Sequence, residues 1–303
     1  MKSKITTHLW FDKEAKPAAE FYVSIFPDAK INSIQTIKDT PSGDCDIVSF
    51  NISGTSFMSI SAGPIFKINP SVSYMVNFDP SKDANAKENL TNLWGKLAEG
   101  GKVMMPLQTY PFSEWYGWVE DKFGVSWQLI LTKPEGEERP FIIPSLLFVG
   151  EAYGKAEAAV DYYLSVFKDS KLGQRVKYGA GAMPNKEGTI MFSDFNLLGT
   201  WFVAMDGGGD HKFKFNEATS FIVNCETQEE IDYYWSKLSH VPESEQCGWC
   251  KDQFGVSWQI VPSAMNEMMS GGDPAKTARV TQAFLKMKKF DIATLQAAAD
   301  GSR

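Results

Sequence analysis

The chain has 303 residues, 43% of them hydrophobic and 22% charged, with a net charge of −7. That length suggests about two domains, each able to bury a core. The negative balance and the lack of a Lys/Arg block argue against a nucleic-acid partner, and no apolar run nears the ~18 residues of a membrane span.

The opening MKSKITTHLW turns polar where a secretion signal would turn apolar. Four cysteines are too few for a disulfide framework in a chain this size. A cytoplasmic, reducing setting is expected, with no membrane partner.

In chain order, Thr7–Phe11 alternates as a strand, with His8 and Trp10 on one face and Leu9 and Phe11 on the other. Ala18, Phe21/Tyr22 and Ile25/Phe26 then recur at helical spacing. Ser61–Ser71 reads as a connector, with a lid over a cleft as the alternative. In Val72–Phe78, Ser73, Met75 and Asn77 oppose Val72, Tyr74, Val76 and Phe78. Leu90, Leu93, Trp94 and Leu97 mark a second helix. In Val125–Leu131 the spacing turns Val125, Trp127, Leu129 and Leu131 toward the helices, and Ser126, Gln128 and Ile130 away. Burying Trp127 is worth ~4–6 kcal/mol gross, enough to fix the register, because a slip of one residue would expose it. The polar stretch Thr132–Pro140, with two prolines, reads as a linker.

The second half repeats the first. AAEFYVSIFPDAKI (Ala18–Ile31) returns as AVDYYLSVFKDSKL (Ala159–Leu172), and SYMVNFD (Ser73–Asp79) as SFIVNCE (Ser220–Glu226). LTNLWGKL (Leu90–Leu97) returns as IDYYWSKL (Ile231–Leu238), and GWVEDKFGVSWQLI (Gly117–Ile130) as GWCKDQFGVSWQIV (Gly248–Val261). The order is kept, but the second copy has lost about ten residues between Leu238 and Trp249. Two tandem domains follow, 1–135 and 141–303, the latter with a C-terminal helical tail. The tail's Val280, Phe284, Met287 and Ile292 stripe is expected to pack on its own domain, with a partner-binding helix as the alternative.

Each copy thus has one apolar, helix-covered face and one mixed face. Trp10, Ser73, Trp118, Gln128, Ser220, Trp249 and Gln259 lie on the mixed side and are the candidate ligand-binding residues. Tryptophans suit a lined cleft better than open water; an ordinary packing face is the alternative. His8 is the candidate catalytic residue, being the one cleft group that titrates near neutrality, with a hydrogen-bonded structural histidine as the other reading. Its counterpart is Ser145, so the copies have diverged there. The Cys247–Cys250 pair has redox spacing, but the repeat aligns it with a strand, where residues three apart face opposite ways.

The segments His8–Ile31, Gly117–Ile130, Asp252–Met265 and Asp273–Gly301 together resemble the vicinal oxygen chelate superfamily, which includes glyoxalase and bleomycin-resistance proteins. The tighter resemblance is to its PhnB-like, 3-demethylubiquinone-9 3-methyltransferase branch. It implies an α+β fold of two tandem glyoxalase/bleomycin-resistance-like domains, each of two βαβββ modules forming a curved mixed sheet. It also implies an internal pseudo-dimer of the two halves, with further oligomers left open. Metal-dependent members hold a divalent ion at positions that here match His8, Ser73 and Gln128, or Ser145, Ser220 and Gln259. These make a poor ion site, so no metal or other cofactor is expected; if one binds, His8 and Gln128 are its ligands. The expected function is metal-free binding of a small organic molecule, as a binding protein or as an enzyme. The rivals are a metal-dependent lyase, isomerase or dioxygenase, the methyltransferase of the family name, and a scaffold whose clefts are filled by side chains. For methyl transfer, the glycine run in Met205–Phe215 precedes a strand-like segment, where a nucleotide-type donor would want a helix.

Overall fold

The structure, a computed structural model, describes residues 4–40, 43–133, 137–269 and 273–302. Four modules follow one another. The first holds β1 (Ile5–Phe11), α1 (Ala15–Ile25), β2 (Ala29–Thr40), β3 (Gly43–Ile52) and β4 (Thr55–Ser61). The second holds β5 (Val72–Phe78), α2 (Ala86–Ala98), β6 (Lys102–Tyr110), β7 (Ser113–Glu120) and β8 (Ser126–Leu131). The third holds β9 (Ile142–Phe148), α3 (Ala156–Val166), β10 (Ser170–Lys177), β11 (Ile190–Leu197) and β12 (Thr200–Asp206). The fourth holds β13 (Thr219–Cys225), α4 (Gln228–Leu238), β14 (Trp249–Lys251) and β15 (Ser257–Pro262), followed by α5 (Met265–Met269), α6 (Pro274–Phe284) and α7 (Ile292–Asp300). Part of the expected linker, Pro134–Gly136, lies outside the described residues. Among the described residues no helix is long and apolar enough to cross a membrane.

The helices bury the stripes their spacing predicts. These are Ala15, Ala18, Ala19 and Tyr22 on α1, and Ala86, Leu90, Leu93 and Leu97 on α2. Ala159, Val160, Tyr163 and Val166 follow on α3, and Ile231, Tyr234 and Leu238 on α4. Thr227 caps α4 by accepting from Glu230 N, while the Glu230 carboxylate accepts from Glu226 N, two donors met reciprocally.

The sheets are mixed, and each joins modules from different copies. In the compact unit Leu9–Thr219, the second and third modules share an eight-stranded sheet of order β10-β11-β12-β9-β5-β8-β7-β6. Its centre is the antiparallel pair β5–β9, with Ser73 opposite Ser145. The same unit holds the run β1-β4-β3-β2 from Leu9 onward. In the other unit, Met1–His8 with Ser220–Arg303, the order is β14-β15-β13-β1. Asn224 N donates to Lys4 O at 2.9 Å, and in this antiparallel register His8 stands opposite Ser220. The expectation that both modules of one copy build one sheet is therefore replaced by an exchange.

Two local features bear on the sequence expectations. First, the Ser61–Ser71 and Met205–Phe215 segments run into loops that are tied to each other. Asn69 Nδ2 donates to Lys214 O at 3.0 Å and Asn216 Nδ2 to Lys67 O at 2.8 Å, a reciprocal clasp where a free lid was the alternative. Second, the residues missing from the second copy correspond to β6. A short 3-10 turn, Pro242–Ser244, stands in the chain there. The tail fills the gap: Cys247 N donates to Met287 O and Gly248 N to Lys288 O, at 2.8 and 2.7 Å. Covering backbone beside a short strand in this way removes an unpaired edge.

Candidate functional site

In the smaller unit the sheet register lines up three polar residues. His8 on β1 is opposite Ser220 on β13, and Ser220 is paired with Ser257 on β15. Gln259, two residues along β15 on the same face, donates its amide N–H to Ser220 Oγ at 2.9 Å. Trp249 on β14 is paired with Gln259, and its ring meets the His8 ring edge-on, centroids 5.2 Å apart at 89°. His8 is only 3% exposed. Burial pushes its pKa down to about 3, so the imidazole is neutral at pH 7. Among the described residues, His8 Nδ1 and Ser257 Oγ are buried without a hydrogen-bond partner. Buried polar atoms are rarely left so, which makes this row a place where a ligand would complete the bonding.

The larger unit holds the counterpart. Ser145, Ser73 and Ser126 form the equivalent row across β9, β5 and β8. Gln128 Nε2 donates to Ser73 Oγ at 2.7 Å, and the Tyr116 hydroxyl donates to Gln128 Oε1 at 2.7 Å. Trp118 Nε1 donates to Ser126 Oγ at 2.6 Å. Ser145 Oγ, in the position of His8, is again buried without a partner among the described residues. Further along this face Met75, Ile130, Phe192, Arg139 and Asp194 line a cleft. Met75, Ile143, Trp201 and Val203 form a buried cluster with Ile130, Phe192 and Met205 against it. The Arg139 guanidinium lies over the Trp201 ring, 3.6 Å from its centroid, and Arg139 Nε donates to Asp194 at 2.7 Å.

The expected site residues therefore divide into two groups. The structure joins His8, Ser220, Gln259 and Trp249, and separately joins Ser73, Gln128, Trp118 and Ser145. The set His8, Ser73 and Gln128, taken from one copy, is not the set that shares a sheet row, because the modules exchange partners. Trp10 lies on the His8 face of β1, but its indole donates to Gly63 O at 2.7 Å and its ring meets Phe66, so it anchors a loop. Sequence reading missed Tyr116, Ser126, Ser257, Trp201 and Arg139. Ser126 and Ser257 lie within FGVSWQ and share the Gln face at period two, a signal that was there to use. Arg139 carried none, since nothing local in a linker marks a stacking cation.

Neither donor set suits a divalent ion. Ser73, Gln128 and Ser145 are all neutral, and so are the Ser220, Ser257 and Gln259 side chains of the His8 row, which among the described residues bring no carboxylate or thiolate. The Gln128 amide is already committed at both ends. No group of three or more His, Cys, Asp or Glu able to hold a metal occurs among the described residues. Cys247 sits in a turn at φ +51° and Cys250 on β14; both are free thiols. Burial raises the pKa of each, with Asp252 and Glu245 adding to it at Cys250, the reverse of a reactive redox pair.

Comparison with known proteins gives a family and a fold. The family described as 3-demethylubiquinone-9 3-methyltransferase matches twice, over residues 3–130 and 140–261. A PhnB protein from Bacillus cereus, solved as a structure, is 34% identical over 42% of this chain and 98% of its own, with a TM-score of 0.38. Glyoxalase I from Zea mays is 11% identical over 87% of this chain and 94% of its own, with a TM-score of 0.53, a likeness of fold. No protein with a curated description matches.

Proposed function

The chain belongs to the 3-demethylubiquinone-9 3-methyltransferase family, and from that premise we propose that it binds a small, uncharged organic molecule against His8, Ser220, Ser257 and Gln259, without a divalent ion. One observation carries this reading: the His8 imidazole is buried, held neutral, and has Nδ1 unpartnered in the same sheet row as a second unpartnered atom, Ser257 Oγ. A neutral molecule carrying hydroxyls or carbonyls could pair with each, and Trp249 offers an apolar wall. An anion would find no fixed cation in the row and would bring a desolvation cost with it. The Ser145 row, whose Gln128 amide is already bonded at both ends, serves as packing. Each copy acts as the other's partner, in keeping with the Asn69 and Asn216 clasp. Four free thiols suit a reducing, cytoplasmic setting.

Isothermal calorimetry with catechol, a neutral dihydroxy ring, against benzoate, its charged comparator, tests the proposal. Heat with catechol that is lost in His8→Phe is expected. No heat with catechol, or heat unchanged by the substitution, would sink it. Methyl transfer rests on the family's description alone: Gly207–Gly209 follows β12 and leads through an irregular segment to β13, not into a helix N-terminus.

A further inference from the structure

Gly117 and Gly248 hold the same place in the two copies, one residue before the site tryptophan. Their surroundings differ. Where a Cβ on Gly117 would sit, the Trp94 ring of α2 comes within 2.5 Å. Where a Cβ on Gly248 would sit, the intruder is Phe290 of the tail, also within 2.5 Å, and the backbone there is left-handed at φ +82°. The tail also holds the neighbouring chain. Gly248 N donates to Lys288 O, Cys247 N to Met287 O, and Gln246 Nε2 to Leu285 O at 2.8 Å. In the first copy the same stretch pairs with β6, where Met105 stands opposite Trp118.

The two tryptophans end in different company, although both keep their register, Trp118 with Gln128 and Trp249 with Gln259. Trp118 donates to Ser126. Ser257, the equivalent of Ser126, is left without a partner, and Trp249 stands edge-on to His8. We infer that the tail is a working part of the His8 site: Phe290 and the Met287 and Lys288 carbonyls hold Gly248 left-handed, and this turns Trp249 away from Ser257 and against His8. Glycine takes that conformation at little steric cost, and a left-handed glycine in the turn that opens a strand re-aims the side chain that follows, as a bulge does. Phe290 is a positioning residue. It acts on Trp249 through Gly248.

The meaning of this geometry rests on reading the His8 row as the ligand site, but its test needs no ligand. In nitrogen-15 and carbon-13 labelled full-length protein, the Trp249 indole N–H and the His8 ring signals are assigned through Trp249→Phe and His8→Gln. Phe290→Ala removes the tail ring, and Gly248→Ala expels it from the other side. Each is expected to shift both the Trp249 indole and the His8 ring signals by more than a linewidth, while the Trp118 indole signal stays in place. If either variant loses the Trp118 reference signal, Phe290→Leu, which keeps an apolar cover, supplies the reading. Wild-type positions for Trp249 and His8 in the folded variants would overturn the inference. If the ligand reading alone is wrong, calorimetry shows no heat while these shifts persist.

Discussion

Asp121 accepts the indole N–H of Trp127 on Oδ2 at 2.8 Å, while the amides of Phe123 and Val125 close the intervening turn on its Oδ1. The Tyr22 hydroxyl of α1 donates to the same carboxylate at 2.9 Å. Asp252 repeats the pattern with Trp258, Phe254 and Val256. This bracket explains the doubled FGVSWQ: the acid fixes the turn, the turn starts the strand, and the strand presents Trp inward and Gln to the opposite face.

Asp121→Ala should therefore cost on the order of 3 kcal/mol, since it strands a phenol, an indole N–H and two amides in the core. Asp121→Asn, which keeps one acceptor oxygen, should cost less. Urea denaturation measures both. A midpoint unmoved in Asp121→Ala would show that the bracket does not hold the strand.

His8 makes stability depend on pH. Its folded pKa of about 3 lies below the ordinary histidine value of 6.5, so the unfolded chain binds the proton more readily. The stability linked to His8 is intact above pH 6.5 and is lost as pH falls toward 3, at up to about 1.4 kcal/mol per unit. Asp121 and Asp206, whose pKa values burial raises, pull the other way over the carboxylate range. The measurement is the difference in melting temperature between wild type and His8→Gln from pH 7 to 4. That difference should change steadily in favour of the variant as pH falls; parallel curves would refute it.

Arg139→Ala should cost on the order of 2 kcal/mol, because it removes a cation from the Trp201 face and leaves Asp194 buried without its charge partner. Arg139→Lys should not restore the loss, since an ammonium lacks the planar fork that stacks and pairs at once. Thermal unfolding of the three proteins decides it. Full rescue by lysine would reduce the contact to simple charge.

Elemental analysis of protein purified without chelators should find Zn, Mn, Fe and Ni well below one per chain, as neutral Ser and Gln donors around one imidazole predict. A near-stoichiometric ion would revive the lyase, isomerase or dioxygenase reading. Calorimetry with S-adenosylmethionine should show no heat.

Much of the fold was legible because period and repetition are local signals. Tyr22, Leu90, Tyr163 and Ile231 fall on the buried stripes that their spacing indicates. Trp127 and Gln128 take opposite faces as alternation requires. The partner of each module was not legible. Ser73 and Ser220 sit in near-identical strands, and nothing in SYMVNF or SFIVNC says that one will meet Ser145 and the other His8. Strand choice is a long-range decision, set by which pairing closes both sheets. The tail's path was hidden for a similar reason: the deletion after Leu238 showed a missing piece, but not that Leu285–Phe290 would take its place.

The exchange of modules has a consequence for how the protein is made. His8 is translated long before its neighbours Ser220, Gln259 and Trp249, and Phe290 follows them. The larger unit has its strands available well before then, so it can form as the chain emerges. Lys4–His8 must wait for its strand partner until Thr219–Cys225 has been translated. Closing so long a loop is slow, and a stall before Gln259 would leave the His8 row unfinished.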